Sequence, residues 1–187
     1  MHLYLDTAND DFVLAIFDSK FNILKQIILH NYPKKVNLIV EYVEKFLKEL
    51  KLSINDFKIF YLNIGPGYFT GVRIGLVYLR TIALLTNAQI KTTSTFQILN
   101  KQYPEQKTLA INAAGNKFYI WNVQEIFNSS NIEIRLINEN KNLLFKIKYE
   151  EFINNFSKYL SLFKDNPNIM DIEPYYIKMP QIGQKGK

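Results

Sequence analysis

Cysteine is absent from the 187 residues, which excludes disulfides and thiolate-ligated zinc and fits a reducing compartment. Histidine is nearly absent. His2 and His30 lie far apart, and neither belongs to a His-x-x-x-His pair on a helix, so a histidine-ligated metal centre or a metalloprotease has little to build on. As isolated histidines they read as ordinary surface residues, and no metal ligand and no catalytic residue is expected. No apolar run reaches the roughly 18 residues of a membrane span, and Arg73 and Arg80 interrupt the longest candidate, so no membrane partner is expected. The N-terminus opens on a strand-like segment without a basic region and apolar stretch, so no signal peptide and a cytoplasmic location are expected. Glycine is scarce at seven residues, yet three of them fall within Gly65–Gly71.

What is present is an apolar fraction of 48%, enough for a real core. The net charge is +6, which admits a nucleic-acid partner. The lysines are scattered, however, and Lys, Asn and Ile are abundant throughout, as in proteins from AT-rich genomes. The local cluster is the tail from Lys178 to Lys187.

Residues 2–6, 12–17 and 21–29 read as strands separated by short polar turns, which favours antiparallel neighbours. Pro33 suits a first helical turn, and Val36, Ile39, Val40, Val43, Phe46, Leu47 and Leu50 recur at helical spacing. Residues 57–64 read as a strand, 72–86 as a helix, 89–93 as a strand, and Ser94 as the cap of a helix to about 103. The order β-β-β-α-β-α-β-α implies an α/β fold with a mixed sheet and helices on its faces. After Pro104, segments 107–112, 117–123, 132–137 and 143–147 read as strands and 149–159 as a helix. The expected organisation is a first lobe at 1–104, a smaller second lobe at 105–180 and a flexible tail at 181–187.

The strand-to-helix connection GPGYFTGVRIG, Gly65 to Gly75, has the parts of an anion site. A helix start leaves N–H groups without partners, Gly65, Gly67 and Gly71 permit close approach, and Thr70 is a credible N-cap. It lacks the Gly-Lys-Ser/Thr ending of a Walker loop and the Gly-x-Gly-x-x-Gly spacing of dinucleotide folds. Glycines serving only the turn and close packing are the plainer reading. Asp6 and Thr7, ending the first strand, could meet a magnesium-bound phosphate or simply form a polar turn.

The segment GPGYFTGVRIGLVYLRTIAL resembles the signature of the TsaB (YeaZ) family. In order along the chain, LYLDTA, KTTSTFQIL, INAAGNKFYI and EPYYIK resemble further family segments. The resemblance implies an actin-like ATPase (ribonuclease H-like) fold of two lobes, the second reduced. It implies a non-catalytic subunit that pairs with TsaD, with TsaE joining, in synthesis of threonylcarbamoyladenosine in tRNA; tRNA would be met through the complex. No cofactor is then required, and weak nucleotide binding at Asp6, Thr7, Gly65, Gly67, Thr70 and Gly71 is the residual expectation. Tyr68 stands where the family has serine, Asn112 and Ala114 where it has an acid and an arginine, and Thr81 where it has glycine, which weakens nucleotide binding more than the fold.

The helix at 72–86 is apolar on nearly every side, so either this chain or a partner must cover it. In the family this helix and the preceding one pack on TsaD, and the same surface can form homodimers. The implied contacts are Tyr42 and Phe46 from the earlier helix and Arg73, Val77, Tyr78, Leu79 and Arg80 from the later one. Two other readings remain open: an active nucleotide-dependent enzyme of this fold, and a basic tRNA-binding module.

Overall fold

The computed structural model describes residues 1–113, 115–136 and 144–177. Ala114, the Asn-rich turn expected near 137–143, and the tail with its lysine cluster lie outside the described residues.

Short polar turns between apolar runs do make the first strands antiparallel neighbours. β1 (His2–Asp6), β2 (Phe12–Phe17) and β3 (Ile23–Leu29) pair in sequence, with Leu5 opposite Leu14 and Val13 opposite Ile28. Asp18 sets the second turn by accepting the backbone N–H groups of Lys20 and Asn22 at 2.8 and 2.9 Å. Phe21 then takes a left-handed φ of 64°, so β3 begins at Ile23 rather than at residue 21.

The remaining elements are α1 (Val36–Leu50), β4 (Ile59–Asn63), α2 (Phe69–Thr86), β5 (Gln89–Thr93), α3 (Thr95–Gln102), β6 (Thr108–Asn112), β7 (Lys117–Asn122), β8 (Ile132–Leu136), α4 (Tyr149–Asn154) and β9 (Lys164–Asp165). They confirm the expected β-β-β-α-β-α-β-α order. α3 starts where the sequence placed it: Ser94 accepts from Gln97 N–H, and the Gln97 side chain accepts from Ser94 N–H, each at 3.1 Å.

The central sheet has the order β3-β2-β1-β4-β5-β9, with β1, β4 and β5 parallel. A second antiparallel sheet has the order β6-β7-β8. Because the central sheet is covered on both faces, β2 is apolar and buried at every position. Leu3, Leu5, Leu14, Phe60 and Leu62 face α1 and α2. Tyr4, Val13, Phe17 and Tyr61 face α3, the second sheet and α4. The aromatic wealth of the chain concentrates there: Phe156 contacts Tyr4, Phe17, Tyr61, Phe152 and Phe163 with ring centroids 4.6–5.5 Å apart. Trp121 is buried against Phe96, as a packing residue.

Four expectations need correction. Residues 105–180 do not stay apart, because β9 returns to pair with β5, and Ile172 joins the core beneath α1 and α2. Residues 144–147 form no strand; Phe145 makes one backbone bond to Ala110 (2.8 Å), and Tyr103 and Gln102 side chains satisfy Lys146 O and Lys148 N–H. The helix expected at 149–159 ends at Asn154 and resumes as a 3₁₀ helix, Phe156–Leu162; at the break Glu151 O accepts both the backbone N–H (3.1 Å) and the side-chain amide (3.0 Å) of Asn155. α1 begins after Lys35 rather than at Pro33, and the Lys35 ammonium turns inward to the carbonyls of Thr7 and Asn9.

By length and composition α2 is apolar enough to cross a membrane, with 18 residues and a mean hydropathy of 1.3. Its face of Gly71, Val72, Gly75, Leu76, Leu79 and Ala83 is nonetheless buried on β1, β4 and β5.

Candidate functional site

β1 and β4 end side by side, and everything at the site follows from what those two ends carry. Asp6 closes β1 and is fully buried. One carboxylate oxygen accepts the backbone N–H of Ala8 at 2.9 Å. The other accepts the Tyr4 hydroxyl (2.9 Å), the Tyr149 hydroxyl (2.8 Å) and the Asn63 amide (2.8 Å). Burial pushes the Asp6 carboxyl up from its ordinary range, against the hydrogen bonds from Asn63, Ala8, Tyr149 and Tyr4. Four donors therefore hold this strand-end acid from inside the chain. Tyr149→Phe removes one of them from a buried carboxylate, and a loss of about 1–3 kcal/mol of stability is expected in denaturant titration. A variant as stable as the wild type would show the bond to be dispensable.

The glycine loop lies against the residues after Asp6. A Cβ on Gly67 would sit 2.1 Å from Ala8 O, and one on Gly71 would sit 2.1 Å from Thr7 O. The Tyr68 N–H donates to Ala8 O at 2.7 Å, and the Thr7 hydroxyl donates to Gly71 O at 2.7 Å. The backbone that approaches these two glycines is therefore the chain's own. Gly65, at φ +93°, has its N–H held by Asn63 Oδ1 at 2.9 Å. Thr70 is not the N-cap. Tyr68 occupies that position without a side-chain cap, because its bond to Ala8 turns the chain earlier, and Thr70 lies exposed in the first turn of α2.

Two hollows flank Tyr68. An outer groove of about 690 Å³ lies between the starts of α1 and α2, and an inner pocket of about 260 Å³ lies beneath the second sheet; Asn9, Asp10 and Tyr68 border both. The Tyr68 hydroxyl donates to Asp10 at 2.6 Å and accepts from Asn112 at 2.9 Å, which ties the loop to the end of β6. Burial, followed by the Asp10 hydrogen bond, pushes the Tyr68 phenol well up.

His30 lies at the surface as expected and His2 is half-buried, but neither is isolated. His2 stacks on Phe21 at 4.6 Å, and burial lowers its pKa. His30 sits 3.1 Å from both Asp11 and Glu150, whose hydrogen bonds raise its pKa. Among the described residues no group of three His, Cys, Asp or Glu could hold a metal ion.

The residues named for a partner surface divide. Val77 is 54% exposed, and Arg73 is exposed over the Phe69 ring. Tyr42 and Tyr78 are half-buried against the core cluster that α1 and α2 share, and burial, then the Glu44 charge, push the Tyr78 phenol to about 12. Arg80 is half-buried and donates to Ile172 O. Leu79 and Phe46 are corrections: both are buried in the core beneath the helices, at 0% and 5% exposure, so neither offers a surface. Val36, Val40, Leu84 and Leu85 were not among the expected contacts, yet all four are exposed on these two helices. Their apolar character was legible; which way each helix face points was not.

Nothing local in the sequence marks Tyr149 or Lys35 as site residues. Tyr149 lies 143 positions from Asp6, and Lys35 is one lysine among many.

A family model for TsaD, tRNA N6-adenosine threonylcarbamoyltransferase, matches residues 33–138, more than half of the chain. An uncharacterized protein of Mycoplasma genitalium is 25% identical over 193 residues, covering 95% of each chain. The tRNA threonylcarbamoyladenosine biosynthesis protein TsaB of Buchnera aphidicola subsp. Schizaphis graminum is 27% identical over 123 residues, covering 63% of this chain and 57% of its own. The solved structure of YeaZ from Pseudomonas aeruginosa matches with a TM-score of 0.55 and 19% identity, over 72% of this chain and 63% of that one. The chain thus spans less than two thirds of that solved relative, and shares with it the actin-like (ribonuclease H-like) fold.

Proposed function

We propose, from the premise that the chain belongs to the TsaB (YeaZ) group of the TsaD family, that it serves in synthesis of N6-threonylcarbamoyladenosine in tRNA as a non-catalytic subunit that pairs with TsaD. TsaE and tRNA would join through the complex, in the cytoplasm, without a cofactor bound by this chain.

One observation carries the reading. α1 and α2 lie side by side on one face of the central sheet and present Val36, Val40, Val77, Leu84 and Leu85 outward at 45–79% exposure. Scattered apolar residues on a surface need no explanation, but five on two adjacent helices mark a docking face. The state of Asp6 supports the lack of catalysis. Asp6 is fully buried and held by four internal donors, which leaves no exposed carboxylate for a substrate to meet.

Reconstitution tests this. The pair of this chain and TsaD, with TsaE and the threonylcarbamoyl donor, should incorporate labelled threonine into tRNA, and TsaD without this chain should not. TsaD working equally well alone would end the proposal, and ATP turnover by this chain alone would return it to the enzymes.

A further inference from the structure

The outer groove sets two lysines, Lys34 and Lys35, against one acid, Asp10. Lys35 lines it at 6% exposure, and its ammonium reaches Thr7 O at 3.3 Å and Asn9 O. Those carbonyls take two of its three N–H donors. Among the described residues no carboxylate forms an ion pair with Lys35 or with its exposed neighbour Lys34. Asp6, Asp10 and Asp11 act on Lys35 only from a distance, and burial lowers its pKa. Asp10, the acid that borders the groove, is already held by the Tyr68 hydroxyl. A buried ammonium without a contacting counter-charge is costly, and a carboxylate delivered from outside would relieve it.

The groove also has apolar walls, from Tyr32, Pro33, Val36 and Ile74. Val36 belongs both to this wall and to the exposed apolar residues of the two helices, so the groove opens onto that surface. We propose that the partner segment lying across Val36, Val40 and Val77 places an acidic side chain in this groove, its carboxylate against Lys35 and Lys34. The inference rests on the docking reading above and adds the chemistry by which the partner is recognised. The apolar surface supplies burial, and the groove supplies charge and register.

The test measures affinity for TsaD of the same organism at low salt and at about 0.5 M salt, where exposed charges are screened. Lys34→Glu is expected to weaken binding about tenfold at low salt, with much of the difference lost at high salt. Lys35→Met should weaken it at both salts. Lys34 is exposed, so Lys34→Glu remains informative if the Lys35 variant fails to fold. Val77→Glu runs alongside. Lost binding for Val77→Glu with unchanged binding for Lys34→Glu at both salts overturns the acidic insertion and leaves the docking face standing. Unchanged binding for Val77→Glu removes the docking face and this inference with it. A homodimer of the chain alone that dissociates on Lys34→Glu would place a second copy in the groove and also overturn the assignment.

Discussion

Gly71→Ala is expected to cost about 3–5 kcal/mol and to lower the melting temperature by roughly 10 °C. One methyl group does this because of where it lands. The added Cβ would meet Thr7 O at 2.1 Å, and Thr7 O is backbone, unable to swing aside like a side-chain tip. Either α2 backs away from β1 or residues 7–8 retreat. The first breaks the bond between the Thr7 hydroxyl and Gly71 O, and the second breaks the bond between Tyr68 N–H and Ala8 O. Both disturb the residue after Asp6, so the four-donor cluster is strained as well. Ordinary helix propensity points the other way, since alanine is favoured over glycine by about 1 kcal/mol, and the steric term is expected to win. Thr81→Ala, exposed on the same helix, is the control and should stay within about 0.5 kcal/mol. A calorimetric scan with Gly71→Ala melting beside the wild type would show that the two segments can separate at little cost.

Val77→Glu should abolish detectable pairing with TsaD, a weakening of about a hundredfold or more, while the free chain melts as before. Val77 is half exposed, so nothing inside the chain depends on it. In a complex its position would become dry, and a carboxylate stranded there without a partner costs several kcal/mol. Titration calorimetry reads the affinity and circular dichroism checks the fold. Leu79→Glu gives the contrast. Two positions further on, at 0% exposure, the same change should unfold the chain, so its failure to bind would carry no information about docking. Retained affinity for Val77→Glu would move the docking face elsewhere.

The difference between those two leucine-like positions shows how far the sequence reaches. Strand and helix order were legible because the apolar spacing changes from continuous runs in β2 to helical recurrence in α1, and because Ser94 and Asp18 carry capping and turn chemistry locally. Gly67 and Gly71 were legible as positions of close approach, but not the identity of what approaches. Their neighbours Ala8 and Thr7 lie some sixty positions away, and a sheet pairing brings them there. Tyr149 was illegible for the same reason, and so was the split of α2 into a buried face and an open one. A helix that is apolar nearly all round offers no periodicity from which to orient it. Lys35 was hidden by its company: a lysine beside another at a helix start reads as solvated unless the carbonyls that draw it in are known.

β9 has a consequence for the order in which the chain becomes whole. The strand that borders β5 is drawn from residues 164–165, and Ile172 and Tyr175, which follow it, clamp Arg80 and Ile64 through their backbone groups. During synthesis β5 leaves the ribosome more than seventy residues before its neighbour does. Through that interval the nascent sheet has an open rim, with the backbone groups of Lys91 and Thr92 free to recruit the wrong strand. A stop codon or a bulky fusion placed before residue 164 would make that interval permanent, and aggregation, rather than loss of any single contact, is the failure to look for.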